Sequence, residues 1–159
     1  MRSTALRRYR PVAVAASVLA ILLSATAAQA QSPHGSNFAG VELLGRGILY
    51  TLNFERYARR AGVGIGIAAW RFDKTVLVVP MYVSFRPIGQ THSLYLSAGA
   101  TVGLQVSTLR TSPTAVYGTA TVGYEHLSKS GLVLRPTYTF LFAPEGGVLW
   151  PGFQIGYRF

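Results

Sequence analysis

Nucleophilic acyl transfer needs a Ser or Cys, a His that takes its proton and an acid that orients the His. This sequence supplies His34, His92 and His126, a single aspartate, Asp73, no cysteine and no G-x-S-x-G turn. His126 falls beside a turn at the end of an apolar stretch, where an imidazole at a membrane interface is the simpler account. No two histidines stand at metal-ligand spacing. Gly64-Ile65-Gly66-Ile67-Ala68-Ala69 spells a dinucleotide loop, but such a loop needs a strand before it, a helix after it and an acidic residue about 20 positions on. None is present, so the glycines read as space for bulky neighbours. No catalytic, cofactor-binding or metal-binding residue is assigned, and no enzymatic activity or cofactor is expected.

The sharper constellation is electrostatic. Glu42, Glu55, Arg86, Glu125, Arg135 and Arg158 each lie in a stretch of alternating character, always on the side that carries small or polar residues. Three carboxylates and three guanidiniums inside a narrow barrel are costly unless paired, so they predict a closed network. Position along the strands suggests a ring of Glu55, Arg86, Glu125 and Arg158 near one end, and a separate Glu42–Arg135 pair farther in. A polar binding site or a proton path is the competing reading.

The elements that would position these charges are strands. In Leu149–Phe159, Leu149, Pro151, Phe153, Ile155, Tyr157 and Phe159 alternate with Trp150, Gly152, Gln154, Gly156 and Arg158. A strict period of two over about ten residues is a strand whose faces meet different surroundings, at the length that crosses an outer membrane when tilted. The same pattern recurs in Phe38–Leu44, Ile48–Tyr57, Ala61–Trp70, Val76–Arg86, His92–Gln105, Ala115–His126 and Leu132–Phe142. Residues 38–57 read as two strands about Gly45-Arg46-Gly47, or as one kinked strand. Pro80 lacks a ladder donor and predicts a bulge or a break in pairing. Ser107–Thr114 is the longest polar connection. Eight strands with short connections predict an antiparallel up-and-down β-barrel.

A soluble barrel alternates too, with its apolar face turned inward. Three features favour the opposite orientation. The apolar face lacks Asp, Glu and Lys in the best strands, and the other face is rich in Gly, Ser and Thr. Aromatics on the apolar face, Phe54, Phe85, Tyr124, Phe140, Phe142, Tyr157 and Phe159, gather near strand ends, as interfacial girdles require.

Arg2, Arg7, Arg8 and Arg10 precede an apolar run to Ala28 and then Ala28-Gln29-Ala30, the layout of a secretory signal peptide cleaved after Ala30. Residues 1–30 are therefore assigned to the signal and 31–159 to one barrel domain. A retained helix is the competing reading. Without the four signal arginines the formal charge falls from +10 to +6, with 11 basic and 5 acidic residues remaining. An exported chain without a basic helix is a poor nucleic-acid binder. Only Lys74 and Lys129 are lysines, whereas soluble β-proteins spread Lys along the solvent face.

The run Val41-Glu42-Leu43-Leu44-Gly45-Arg46-Gly47-Ile48-Leu49-Tyr50-Thr51-Leu52-Asn53-Phe54-Glu55-Arg56, with residues 116–124 and the terminal strand, resembles a family of small bacterial outer-membrane β-barrel proteins. Thr51 and Phe54 depart conservatively from that family's usual Ser and Tyr. A final strand of alternating apolar residues ending in Phe also resembles the segment that the outer-membrane assembly machinery reads, which makes Phe159 and Tyr157 its candidate signal. The resemblance implies a bacterial outer-membrane location and lipid and lipopolysaccharide as surroundings. A monomer is expected, with the turns near residues 58–60, 89 and 129 in the periplasm and those near Arg46, Asp73-Lys74, Arg110 and Glu145 outside. The function expected is a structural or surface-interaction role in the cell envelope. The alternatives are a lipid- or lipopolysaccharide-modifying enzyme and a small pore.

Overall fold

The computed structural model describes residues 35–71, 75–89, 91–106, 111–144 and 146–159, with the backbone alone for 106 and 111–114. The signal segment 1–30, His34, Asp73-Lys74, Arg110 and Glu145 lie outside the described residues. Eight strands follow in order: β1 (Asn37–Leu44), β2 (Tyr50–Ala58), β3 (Ala61–Arg71), β4 (Thr75–Phe85), β5 (His92–Val106), β6 (Thr111–Leu127), β7 (Leu132–Ala143) and β8 (Gly146–Arg158). Each pairs antiparallel with its neighbours, and β8 returns to β1, closing a barrel. Residues 38–57 are thus two strands, separated by a short 3-10 turn at Gly45–Gly47.

Period-two alternation decides which side chains face out. Val63, Val83, Val116, Tyr138 and Leu149 stand outward, the last at 62% exposure, while Thr51, Glu55, Tyr95, Thr101, Thr139 and Gln154 from the alternate positions are fully buried inside. The outward face is apolar along the middle of every strand, and the lumen holds nearly all the buried polar groups. This is the reverse of a water-soluble barrel. Among the described residues no helix is long and apolar enough to cross a membrane.

Three ladder irregularities fall at prolines, one of them the gap opposite Pro136 between Gly123–Thr137 and His126–Leu134 of β6 and β7. Between β3 and β4 the pairs run to Ile65–Met81 and resume at Ala68–Val78, leaving a gap opposite Pro80 without a change of register. Pro80 therefore breaks the pairing and makes no bulge, and its other side still pairs with Thr101 of β5. The register shifts between Gly103 and Leu104, where Gly103 faces Ala115 and Leu104 faces Pro113. Thr111–Thr114 belong to β6, so the connection expected to run through Thr114 is shorter than its composition suggested. Pro113 is accommodated where the ladder slips.

The row Leu96–Val122–Tyr138 crosses β5, β6 and β7 on the outside, beside the inward row Ser97–Thr121–Thr139. Lysine at Val122 or Tyr138 should destabilise the barrel in lipid by roughly 2–4 kcal/mol. Lysine at Thr121 should act instead through lumen packing, because Thr121 Oγ1 lies 2.9 Å from Thr139 Oγ1. Urea unfolding of the vesicle-inserted variants measures the difference. Equal tolerance of lysine at Val122 and at Thr121 would contradict the outward assignment.

Candidate functional site: the charged lumen

The chain brings its inward charges to one column. Glu125 of β6 is the centre: its Oε1 accepts from Arg86 Nη1 and from Arg158 Nη2, each at 3.1 Å, and its Oε2 accepts from Arg135 Nε at 3.1 Å and from Arg135 Nη2. Arg135 reaches further, donating to Tyr57 Oη at 3.0 Å, to Glu55 Oε1 at 3.4 Å and to Gln154 Oε1. Glu55 also accepts from Tyr95 Oη at 2.6 Å and from the Tyr57 hydroxyl. Glu55 and Arg135 are fully buried. Ion pairs this dry remain folded only because several donors converge on each carboxylate.

Glu42 is not the partner of Arg135. It pairs with Arg46, 3.4 Å away, and accepts from Asn53 Nδ2 at 3.1 Å. Arg46 belongs to the Gly45–Gly47 turn, which folds into the lumen and leaves Arg46 fully buried. Tyr117 Oη donates to the Arg46 carbonyl at 2.9 Å, and the Arg46 guanidinium lies 3.6 Å from the Tyr82 ring centroid. The inward fold needs Gly45: its φ is +77°, and a Cβ there would stand 2.4 Å from Glu42 Oε1. The flanking Leu44 and Ile48 also adopt positive φ, 59° and 73°, a backbone cost that the Arg46 contacts must offset.

Arg46 Nη2 donates to Tyr95 Oη at 3.4 Å, joining the two groups into one network. It contains three carboxylates and four guanidiniums, not three of each. Aromatic faces take part of the surplus charge: Arg86 lies 3.7 Å from the Tyr57 ring centroid and Arg135 3.8 Å from that of Tyr95. Sequence parity did not single out Arg46, Tyr57, Tyr95, Asn53 or Gln154. The usable signal was large polar residues on a face otherwise of small ones, and an arginine between two glycines.

The dinucleotide-like glycines are packing. Gly62, Gly64 and Gly66 of β3 face inward, and a Cβ on Gly64 would lie 2.3 Å from the Tyr82 ring. The histidines, far apart in sequence, are brought together in one case: His92 and His126 pair across β5 and β6, with their Nδ1 atoms 3.4 Å apart and the Tyr124 hydroxyl against His92. Among the described residues no group of three potential ligands surrounds a metal position, and no serine hydroxyl hydrogen-bonds a histidine. Phe159 closes the sheet by exchanging two backbone hydrogen bonds of 2.9 Å with Asn37.

An eight-stranded closed barrel with an apolar exterior and a charged, filled lumen is the architecture of bacterial outer-membrane barrels. The chain is similar to the N-terminal β-barrel domain of Pseudomonas aeruginosa OprF, at 12% identity over 79% of this chain and 100% of that one, with a TM-score of 0.61. It is also similar to the Yersinia pestis outer membrane protein Ail in a phospholipid bilayer nanodisc, at 16% identity over 79% of this chain and 100% of that one, with a TM-score of 0.50. At such identities the likeness is one of fold. No protein-family model matches the chain, and no curated protein is significantly similar to it.

Removing Arg135 takes the guanidinium partner from buried Glu55 and leaves Glu125 with Arg86 and Arg158 alone, and breaking a buried pair typically costs about 3–5 kcal/mol. Arg135→Met with Glu125→Gln should therefore cost clearly less than the sum of the single changes. Arg135→Met with Glu42→Gln should be close to additive, because Glu42 answers to Arg46. Urea unfolding of the two cycles decides; equal coupling in both would mean that the network is not divided in this way.

Proposed function

We propose that this chain is an integral outer-membrane protein whose barrel is closed by its own side chains and whose role in the envelope is structural or one of surface interaction, without catalysis. The carrying observation is the lumen: Arg46 and Tyr95 cross its middle, fully buried, and tie Glu42 to Glu55. Side chains placed this way plug a path; they do not line one. The apolar exterior and the girdle rings, Phe85 and Tyr124 at one end and Phe140 and Phe142 at the other, support insertion in a bilayer. The resemblance of residues 41–56 to small outer-membrane barrels supports the same placement, with export by the N-terminal signal and assembly read from Phe159 and Tyr157. On this reading the end that carries Gly35 and Phe159 faces the periplasm, and the barrel is a monomer among lipid and lipopolysaccharide.

Planar bilayers test the plug. The parent barrel should pass almost no current, and Arg46→Ala combined with Arg135→Ala should open measurable conductance, because the two side chains fill successive levels of the lumen. Steady conductance in the parent would replace the plug with a pore. Unchanged lipid A chemistry in cells with and without the protein is expected; an acyl-chain change would favour an enzyme.

The location rests on a separate test. Deleting Phe159 removes both backbone bonds to Asn37 and should lower the amount of heat-modifiable protein in the outer-membrane fraction. Undiminished insertion would remove Phe159 from the assembly signal.

A further inference from the structure

The end of the barrel that carries both described chain ends opens into a cavity of about 640 Å³. Its basic lining residues are Arg59, Arg60, Arg86, Lys129 and Arg158, and no acidic side chain lines it among the described residues. The carboxylate nearest in the network, Glu125, lies behind Arg86 and Arg158 and is already shared with Arg135. Positive charge therefore exceeds negative charge at this mouth. Arg158 is 93% buried as a side chain, yet its Nε has no hydrogen-bond partner, and neither has Nε of Arg86. A buried guanidinium N–H without an acceptor is costly, and these two belong to residues that line the cavity, whereas the other unpartnered network atoms, Arg46 Nη1, Asn53 Oδ1 and Gln154 Nε2, belong to residues that do not.

We propose that this vestibule binds a phosphate-bearing anion. Guanidinium forks match the oxygens of phosphate, and several cations around one cavity suit a group of charge about −2 better than a single carboxylate. The volume lies within the range of small-molecule sites, roughly 300–1,000 Å³, which leaves room for a substituent on the phosphate. Arg86 and Arg158 form the floor, held by Glu125 and by the face of Tyr57. Arg59, Arg60 and Lys129 stand exposed on the turns at the rim and supply the adjustable contacts. The phosphate can come from a soluble ester entering from the aqueous side or from the headgroup of an anionic lipid at the rim.

The test uses the full barrel folded in maltoside micelles, which carry no phosphate. One arm titrates pyrophosphate by calorimetry, and the other adds phosphatidylglycerol and counts retained lipid by native mass spectrometry. Stoichiometric binding in either arm is expected, the first identifying a soluble ester and the second a lipid. The double variant Arg59→Asn, Arg60→Gln alters only exposed rim residues, and Asn tolerates the φ of +58° at position 59. It should weaken binding by about tenfold or more, as loss of charge-assisted hydrogen bonds does. Arg56→Gln removes a nearby exposed charge outside the cavity and should change affinity by less than about twofold. No stoichiometric binding in either arm, or equal weakening by Arg56→Gln, overturns the site.

Discussion

The ladder between β1 and β8, from Phe38–Arg158 to Leu44–Gly152, removes the last two free strand edges, and the space it encloses must be filled by whatever the inward positions carry. Hydrocarbon offers no hydrogen-bond partner, so a lipid-facing sheet must close. Closure in turn leaves the lumen's polar groups dependent on one another. Glu125 illustrates the result: one carboxylate serves three guanidiniums, and each of those guanidiniums also lies over an aromatic ring. Electrostatics alone would leave the seven charges unequal. Phe38, Tyr57, Tyr82 and Tyr95 offset part of that inequality through their ring faces, and the tyrosine hydroxyls of Tyr57 and Tyr95 complete Glu55.

Such crowding needs room on the facing walls. The glycine positions of β3 provide it, because Tyr57 of β2 and Tyr82 of β4 lean over Gly62 and Gly64, where any side chain would collide with a ring. The half at the Gly45–Gly47 end is filled differently. There the chain itself turns inward at Gly45–Gly47 and presents Arg46, so that backbone as well as side chain occupies the lumen. The two devices, a glycine wall and an infolded turn, fill the lumen around one charged network.

Much of this was legible in the order of residues. Period-two alternation gives the strands and their faces because a strand sends neighbours to opposite sides whatever the fold around it, and it put Glu55, Glu125 and Arg135 inside. Depth was less accessible. Parity says which wall a residue projects from but not which residue from another wall it meets, so Arg135 could not be assigned to Glu125 over Glu42. Arg46 escaped because parity has no meaning in a turn, and a charged turn residue ordinarily stays in water. Pro113 hid the start of β6, since a missing donor reads as a loop when the ladder merely slips at Gly103–Leu104.

The sequence separations inside the network bear on how the barrel comes apart. Seven of its eight ladders join strands adjacent in the chain, and such hairpins form from local contacts. Arg135, by contrast, meets Glu55 across 80 positions and Tyr57 across 78. In a sheet that has paired but not yet curled, these groups are still hydrated and far apart, so they contribute nothing until β1 reaches β8. These cross-lumen contacts act late, on the barrier to reopening more than on the speed of closing, whereas Arg135–Glu125 and Glu42–Arg46 are local in sequence and can form earlier. Opening the seam between β1 and β8 therefore exposes Glu55 and Arg135 to water at the same step.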